Sequence, residues 1–197
     1  MGEFNDCMRV QNPPCKIVRD VFIETGTQVG NSFEQAMAQP FRRLYTIEVN
    51  TDNHMAALRR FEHRLEFRCP CGCGFEQKAS LHHGSSPELL PRIVDPERDT
   101  TLFLDAHFVS ENVNEMDARY GQCPLLRELE IIATVPWKTK PLVVIDDSRM
   151  FDGSCKRDAI VNPNFKWDEW PDLNDIMRVV AHHRFNMGIF NEQIWLW

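Results

Sequence analysis

Short runs of apolar residues alternate along the chain with segments whose apolar residues recur every three or four positions. Uniformly apolar runs are typical of strands buried on both faces, and the wider spacing is typical of amphipathic helices. The strands are predicted to begin near Val21, Leu44, Ala79, Thr101 and Pro141. A helix is predicted after each, and a hairpin over 185–197 closes the chain. This alternation predicts a mostly parallel sheet covered on both faces, with an antiparallel C-terminal hairpin.

The length bounds the number of domains. The chain has 197 residues, of which 43% are hydrophobic, and this suits one domain with its own core. We expect an N-terminal arm over 1–20 and a single domain over 21–197. Two irregular insertions are expected, near 65–78 and 108–123.

The charge balance narrows the classes of partner. Asp and Glu outnumber Lys and Arg by 29 to 22, which gives a formal net charge of −7. This argues against a broad basic surface for duplex nucleic acid or for an anionic membrane. The sequence has no apolar run of membrane-spanning length and no secretory pattern, so we expect a cytoplasmic protein that binds neither.

The loop after the first strand and the end of the second carry the first candidate chemistry. Glycines at 26 and 30 allow a tight turn and close approach to a ligand, although the loop is not G-x-G-x-x-G. Glu48 follows about 20 residues after the loop begins, where an acid can accept both hydroxyls of a ribose. The combination favours a nucleoside-type cofactor. The alternatives are a plain strand-to-helix turn and a solvated carboxylate.

Acidic residues also follow the fourth and fifth strands. Asp105 and His107 follow one, and Asp146 and Asp147 follow the other, so they are expected at one edge of the sheet. Three converging carboxylates repel one another unless they are protonated or bridged by a cation. Oxygen-rich sites suit Mg²⁺. The alternative is that Asp146 caps a turn and only one of the three faces the site.

Three of the seven cysteines lie within five residues. Cys69, Cys71 and Cys73 are spaced by two, whereas zinc sites usually use wider spacing and four ligands. Candidates for the fourth ligand are His63, His82 and His83. A zinc ion here would be structural or would shape a substrate lid. Reduced cysteines and a disulfide are the alternatives.

Six segments in order resemble one known family. ETGTQVG, YTIEVN, HHGSSPELL, LFLDAHF, PLLRELEII and VVIDDSRMF resemble class I S-adenosylmethionine-dependent methyltransferases, closest to the macrocin-type sugar O-methyltransferases. The resemblance covers roughly 21–197. It implies a Rossmann-like, doubly wound, three-layer α/β/α fold.

The resemblance also implies roles for individual residues. The positions that would bind S-adenosylmethionine are Glu24, Thr25, Gly26, Thr27, Gly30, Glu48, Ser85 and Ser86. Ser85 stands where the family often has an acid beside the adenine. Asp105, Asp146 and Asp147 would bind a divalent metal, and the region of Asp105 would contribute to deprotonating the acceptor. His107, two positions after Asp105, is a candidate base or metal ligand.

The expected activity is therefore methyl transfer to a hydroxyl of a small molecule, with sugars and natural products as candidate classes. Related enzymes often associate, so a homo-oligomer is also expected. One alternative is a non-catalytic binding module whose cysteine-rich insertion contacts a partner. Another is a different nucleotide-binding enzyme such as a reductase, and the missing G-x-G-x-x-G argues against it.

Overall fold

A computed structural model describes residues 3–71, 73–107, 119–155 and 166–197 of the chain. Most of the insertion predicted over 108–123 therefore lies outside the described residues. Among the described residues, no helix is both long enough and apolar enough to cross a membrane.

Six helices and eight strands are described. The helices are α1 Phe4–Met8, α2 Asn31–Met37, α3 Thr51–Phe61, α4 Ser86–Ile93, α5 Leu125–Thr134 and α6 Leu173–His182. The strands are β1 Val21–Thr25, β2 Arg43–Glu48, β3 Glu66–Arg68, β4 Glu76–His83, β5 Thr100–Leu104, β6 Leu142–Ile145, β7 Met187–Phe190 and β8 Gln193–Leu196.

The eight strands form one sheet in the order β3-β4-β2-β1-β5-β6-β8-β7. The five central strands are parallel, and β3 at one edge and the β7–β8 hairpin at the other are antiparallel. The predicted mostly parallel sheet with a C-terminal hairpin is confirmed. Strand order reverses between β1 and β5, which is where open sheets of this kind bind ligands.

The core has two layers, one on each face of the sheet. Ile23 and Leu102 pair across β1 and β5 and face α4, α5 and α6. Their neighbours Phe22 and Phe103 point the other way, toward α1, α2 and α3. Successive residues of a strand point to opposite faces, so uniformly apolar strands require helices on both sides.

Helix α1 lies within the predicted N-terminal arm and packs against the core. The backbone N–H of Phe4 donates to Ser32 Oγ at 3.2 Å, and the side chains of Phe4 and Cys7 are fully buried. The Phe4 ring meets that of Phe22 edge-on, with centroids 4.9 Å apart. At least this part of the arm therefore contributes to the domain core.

Part of the segment expected to be an irregular insertion over 65–78 is regular. Strand β3 pairs antiparallel with the start of β4. The described residues between them, 69–71 and 73–75, are called here the cysteine turn. All three residues of β3 are exposed. An exposed strand has no apolar alternation, so its sequence pattern does not indicate it.

The burial of Phe4 gives a stability prediction. Phe4→Ala is expected to lower the free energy of unfolding by about 3–5 kcal/mol, because it removes a fully buried ring from the core. Phe67→Ala, on the exposed strand β3, serves as the control and is expected to change it by less than about 0.5 kcal/mol. Chemical denaturation measures both. A Phe4→Ala effect as small as that of the control would show that α1 does not contribute to the core.

Candidate active site

A cavity of about 180 Å³ opens at the carboxyl ends of the parallel strands, where the strand order reverses. Most of the residues predicted to form the site line it. They are Glu24, Gly26, Thr27, Glu48, Ser85, Ser86, Asp105, His107, Asp146 and Asp147. Parallel strands end at the same edge of the sheet, so segments distant in sequence meet here.

Gly26 fixes the floor of the cavity. Its φ of +83° is in the left-handed region, and a Cβ added there would collide with the Asp105 carbonyl. Its N–H donates to the Ile47 carbonyl at 2.9 Å. The loop after β1 therefore lies directly against the ends of both neighbouring strands, which a larger side chain would prevent.

Glu48 is held by the backbone around it. One carboxylate oxygen accepts the N–H of Gln28 at 2.7 Å, and the other accepts the N–H of Asn50 at 2.8 Å. Burial raises the pKa of Glu48, and these backbone hydrogen bonds oppose that rise. A carboxylate oxygen has two acceptor positions, so each keeps one for a ligand hydroxyl.

Glu24 lies deeper and is almost fully buried. Thr46 Oγ1 donates to its carboxylate at 2.5 Å, and the hydroxyls of Thr46 and Thr27 are 2.6 Å apart. Burial raises the pKa of Glu24 well above its usual value, and the charges of Asp105 and Glu48 add to the rise. A cationic ligand group beside this carboxyl would stabilise its ionised form.

The predicted cofactor residues differ in their access to the cavity. Ser85 and Ser86 line it at the start of α4, next to Gly84, whose N–H donates to the Glu48 carbonyl at 2.9 Å. Thr25 and Gly30 do not line it. Thr25 is fully buried at the end of β1, and Gly30 has a φ of +80° and packs against the ring of Phe61.

His107 lies between two of the predicted carboxylates. Its Nδ1 is 3.5 Å from Asp105, and its Nε2 is 3.3 Å from Asp147. Burial disfavours the imidazolium, but Asp147 and Asp105 outweigh this and raise the pKa of His107. Burial also raises the pKa of Asp105 to about 8. For Asp147, the hydrogen bond and charge of His107 overcome burial and lower the pKa. The three groups form a largely buried acid–base set, in which Asp105 is the most exposed member.

The three carboxylates do not fit a shared divalent ion as they are placed. Among the described residues, the only group with one ligand atom each within 4.8 Å of one another is the cysteine group of residues 69, 71 and 73. Asp146 accepts a hydrogen bond from Gln193 Nε2 at 3.1 Å, and His107 stands between Asp105 and Asp147. We therefore derive no catalytic step through Mg²⁺, which stays a prediction.

The cysteine turn lies away from the cavity. It precedes β4, whose last residue, His83, is paired with Glu48 at the cavity edge. The eight residues of β4 span roughly 23 Å, so the turn cannot form a lid over the cavity. For the same reason His82 and His83 cannot complete a metal site with the cysteines. Hydrogen bonds from Cys69 and Cys73 lower the pKa of Cys71 to about 7.

Sequence reasoning missed two polar residues near the cavity. Gln193 binds Asp146 and also donates to the Glu3 carbonyl at 3.2 Å, so it links the site to α1. Glu128 is buried on α5, where burial raises its pKa to about 7 and the hydroxyls of Ser86 and Thr25 oppose the rise. The sequence does indicate that Glu128 is buried. It lies three residues after Leu125, on the apolar face of α5, where a charged residue is unexpected.

Comparisons with known proteins identify the fold. No protein-family model matches the chain, and no curated protein matches it either. Several solved structures do. A Staphylococcus aureus protein provisionally assigned as a caffeoyl-CoA O-methyltransferase aligns with a TM-score of 0.59 and 15% identity over 90% of this chain and 75% of its own.

Two further matches have the same architecture. A SAM-dependent methyltransferase from Aquifex aeolicus has a TM-score of 0.54 and 12% identity over 91% of this chain and 81% of its own. The N-methyltransferase NodS from Bradyrhizobium japonicum has a TM-score of 0.52 and 11% identity over 91% and 84%. The chain therefore has the Rossmann-like fold of these methyltransferases. These matches do not distinguish the macrocin-type branch from other methyltransferases.

The burial of Glu128 predicts a pH dependence. Its folded pKa of about 7 lies above the ordinary 4.5, so between these values the unfolded chain has lost a proton that the folded chain keeps. Ionisation of Glu128 therefore disfavours the folded state as pH rises through this window. Glu128→Gln removes the effect, so the stability of the variant relative to wild type should rise between pH 4.5 and 7 and then level off.

Denaturant titrations at several pH values measure this change. Glu130→Gln, which alters an exposed side chain on the same helix, is the matched control. A relative stability of the Glu128 variant that is flat or falling across the window would contradict the assignment.

Proposed function

We propose that the chain is an S-adenosylmethionine-dependent methyltransferase that acts on a hydroxyl of a small molecule. The observation that carries the proposal is the shared cavity. It is lined by Glu48, the proposed acceptor of ribose hydrogen bonds, and by the Asp105–His107–Asp147 set. The fold supports methyl transfer but does not distinguish a hydroxyl from an amine as the methyl acceptor, since the N-methyltransferase NodS has the same fold. The sequence resemblance adds sugars and natural products as acceptor classes.

The residues around the cavity suit the cofactor. Glu48 offers two acceptor oxygens to ribose hydroxyls, and Ser85 and Ser86 lie beside it at the position expected for the adenine. Glu24 offers a buried carboxyl to the ammonium group of the methionine part, and Gly26 allows the loop after β1 to lie against the Asp105 carbonyl, which a Cβ would prevent. When bound, the cofactor supplies a methyl group on a positively charged sulfur.

The acid–base set suits a hydroxyl acceptor. An alkyl hydroxyl must lose its proton as it attacks, and a positioned base typically contributes about 10²–10⁴-fold to such a step. Asp105 is a stronger base than an ordinary carboxylate because burial raises its pKa to about 8. His107 lies next to it, and Asp147 orients the imidazole through Nε2. Asp105 and His107 are therefore the proposed proton acceptors.

Cofactor binding is the first test. Calorimetry should show one saturable site for S-adenosylhomocysteine. Glu48→Gln should weaken binding by about 10- to 100-fold, because it removes charge-assisted hydrogen bonds to the ribose. Glu97→Gln, at an exposed position on the opposite edge of the sheet, should bind like wild type. Absence of binding at millimolar ligand would leave the chain as a non-catalytic module and refute the proposal.

Methyl transfer is the second test. With a labelled methyl donor and a panel of hydroxyl and amine compounds, turnover should be confined to hydroxyls and should rise with pH toward about 8, as Asp105 ionises. Asp105→Asn should lower the rate by about 10²–10⁴-fold and leave S-adenosylhomocysteine binding within threefold of wild type. Turnover of hydroxyl compounds by Asp105→Asn at the wild-type rate would contradict the assigned base, and turnover of amines by wild type would contradict the proposed acceptor class.

The same assay tests the predicted cation. A rate unchanged by EDTA is expected from the acid–base set as it stands. A rate that EDTA abolishes and Mg²⁺ restores would show that Asp105, Asp146 and Asp147 rearrange around an ion.

A further inference from the structure

The cysteine turn presents three thiols at the amino-terminal edge of the sheet. The Cys69 N–H donates to the Phe75 carbonyl at 2.9 Å and closes the turn. At its base, Arg68 and Glu76 form an ion pair of 2.6 Å. The turn is thus anchored by the β3–β4 pairing, and the positions of its thiols do not depend on the cavity at the other edge.

The sulfur atoms of the three cysteines lie close together. One ligand atom from each of Cys69, Cys71 and Cys73 lies within 4.8 Å of the others, and the thiols of Cys69 and Cys71 share a hydrogen bond of 2.7 Å. Sulfurs bound to one zinc ion at about 2.3 Å are separated by no more than about 4.6 Å. A small closure of the turn therefore brings all three within reach of a single ion.

Packing does not explain this arrangement. Cys71 and Cys73 are exposed, whereas Cys7 and Cys123 are buried in the protein interior, as is usual for structural cysteines. Cys69 is half-buried, and the exposed thiols of Cys71 and Cys73 contribute little to packing and can react with thiophilic species in solution. The property that the three cysteines share is a sulfur atom that can bind a metal ion.

We propose that the cysteine turn binds one soft metal ion, such as Zn²⁺, through the thiolates of Cys69, Cys71 and Cys73. Each thiol releases its proton to the solvent as its sulfur binds. Thiolates select soft ions over Mg²⁺, which prefers oxygen ligands. The site is separate from the proposed methyltransferase site and does not depend on it.

Three protein ligands leave one coordination position of a bound zinc ion open. Among the described residues, no further cysteine, histidine or carboxylate joins the three sulfurs. Zinc is usually four-coordinate, so a three-thiolate site keeps one position for water or for a ligand from another molecule. The histidines proposed from sequence as a fourth ligand are not required.

Cobalt and zinc titrations of the reduced, metal-free full chain test the proposal. We expect one equivalent of Co²⁺ to bind with thiolate charge-transfer absorption in the near ultraviolet, and Zn²⁺ to displace it. Cys71→Ser should weaken binding by at least about tenfold, and replacement of all three cysteines should abolish the absorption. Zn²⁺ should raise the thermal midpoint of wild type but not that of the triple variant.

Two controls distinguish metal binding at the cysteine turn from binding by other cysteines and from effects of the substitutions on folding. Cys155→Ser changes a cysteine outside the turn and should keep the Co²⁺ absorption. The triple variant should keep the far-ultraviolet circular dichroism of wild type, which shows that it folds whether or not the chain binds S-adenosylhomocysteine. Any S-adenosylhomocysteine binding seen in wild type should be unchanged in the triple variant. Absent absorption, absorption that survives in the triple variant, or a disulfide between Cys69 and Cys71 in chain purified under reducing conditions would overturn the proposal.

Discussion

The close approach of Gly26 to the end of β5 is the constraint on which the cavity depends. At that point the N–H of Gly26 binds the carbonyl of Ile47, and the N–H of Asp105 binds the carbonyl of Thr25. The loop after β1 is thereby fixed to both neighbouring strands, and a Cβ at position 26 would push it off Asp105. The same contact that closes the loop therefore sets the distance between the Glu48 side of the cavity and the His107 side.

Burial of charged groups shapes the chemistry of this cavity. Burial of Glu24 and Glu48 and the partial burial of Asp105 raise their pKa values, and each is stabilised differently. Glu48 uses backbone N–H groups, Glu24 uses a threonine hydroxyl, and Asp105 uses the neighbouring imidazole of His107. A buried acid with spare acceptor positions suits a ribose, and a buried acid–base pair suits proton removal. These two halves of the cavity are therefore the proposed cofactor side and acceptor side.

The central part of the fold could be predicted from the sequence because its strands are buried on both faces and read as apolar runs. The convergence of Glu24, Glu48 and Asp105 followed from parallel strands ending at one edge. The exposed strand β3 could not be predicted in this way, since it has no apolar alternation. Helix α1 could not be predicted either, because its five residues are too few to show a repeating pattern. The insertion of His107 between Asp105 and Asp147 depends on side-chain placement, which residue spacing does not determine. Because of that placement we propose an acid–base set here, and the metal site stays a prediction.

The central claim is that the carboxyl edge of the sheet, near Gly26 and Glu48, binds the nucleoside cofactor. Amide chemical-shift mapping of the labelled chain during titration with S-adenosylhomocysteine tests it most directly. The account predicts saturable shifts over residues 24–30, 48–53 and 84–86, with the amides of the cysteine turn unchanged. Shifts that are absent at saturating ligand, or that fall at the opposite edge of the sheet, would contradict it.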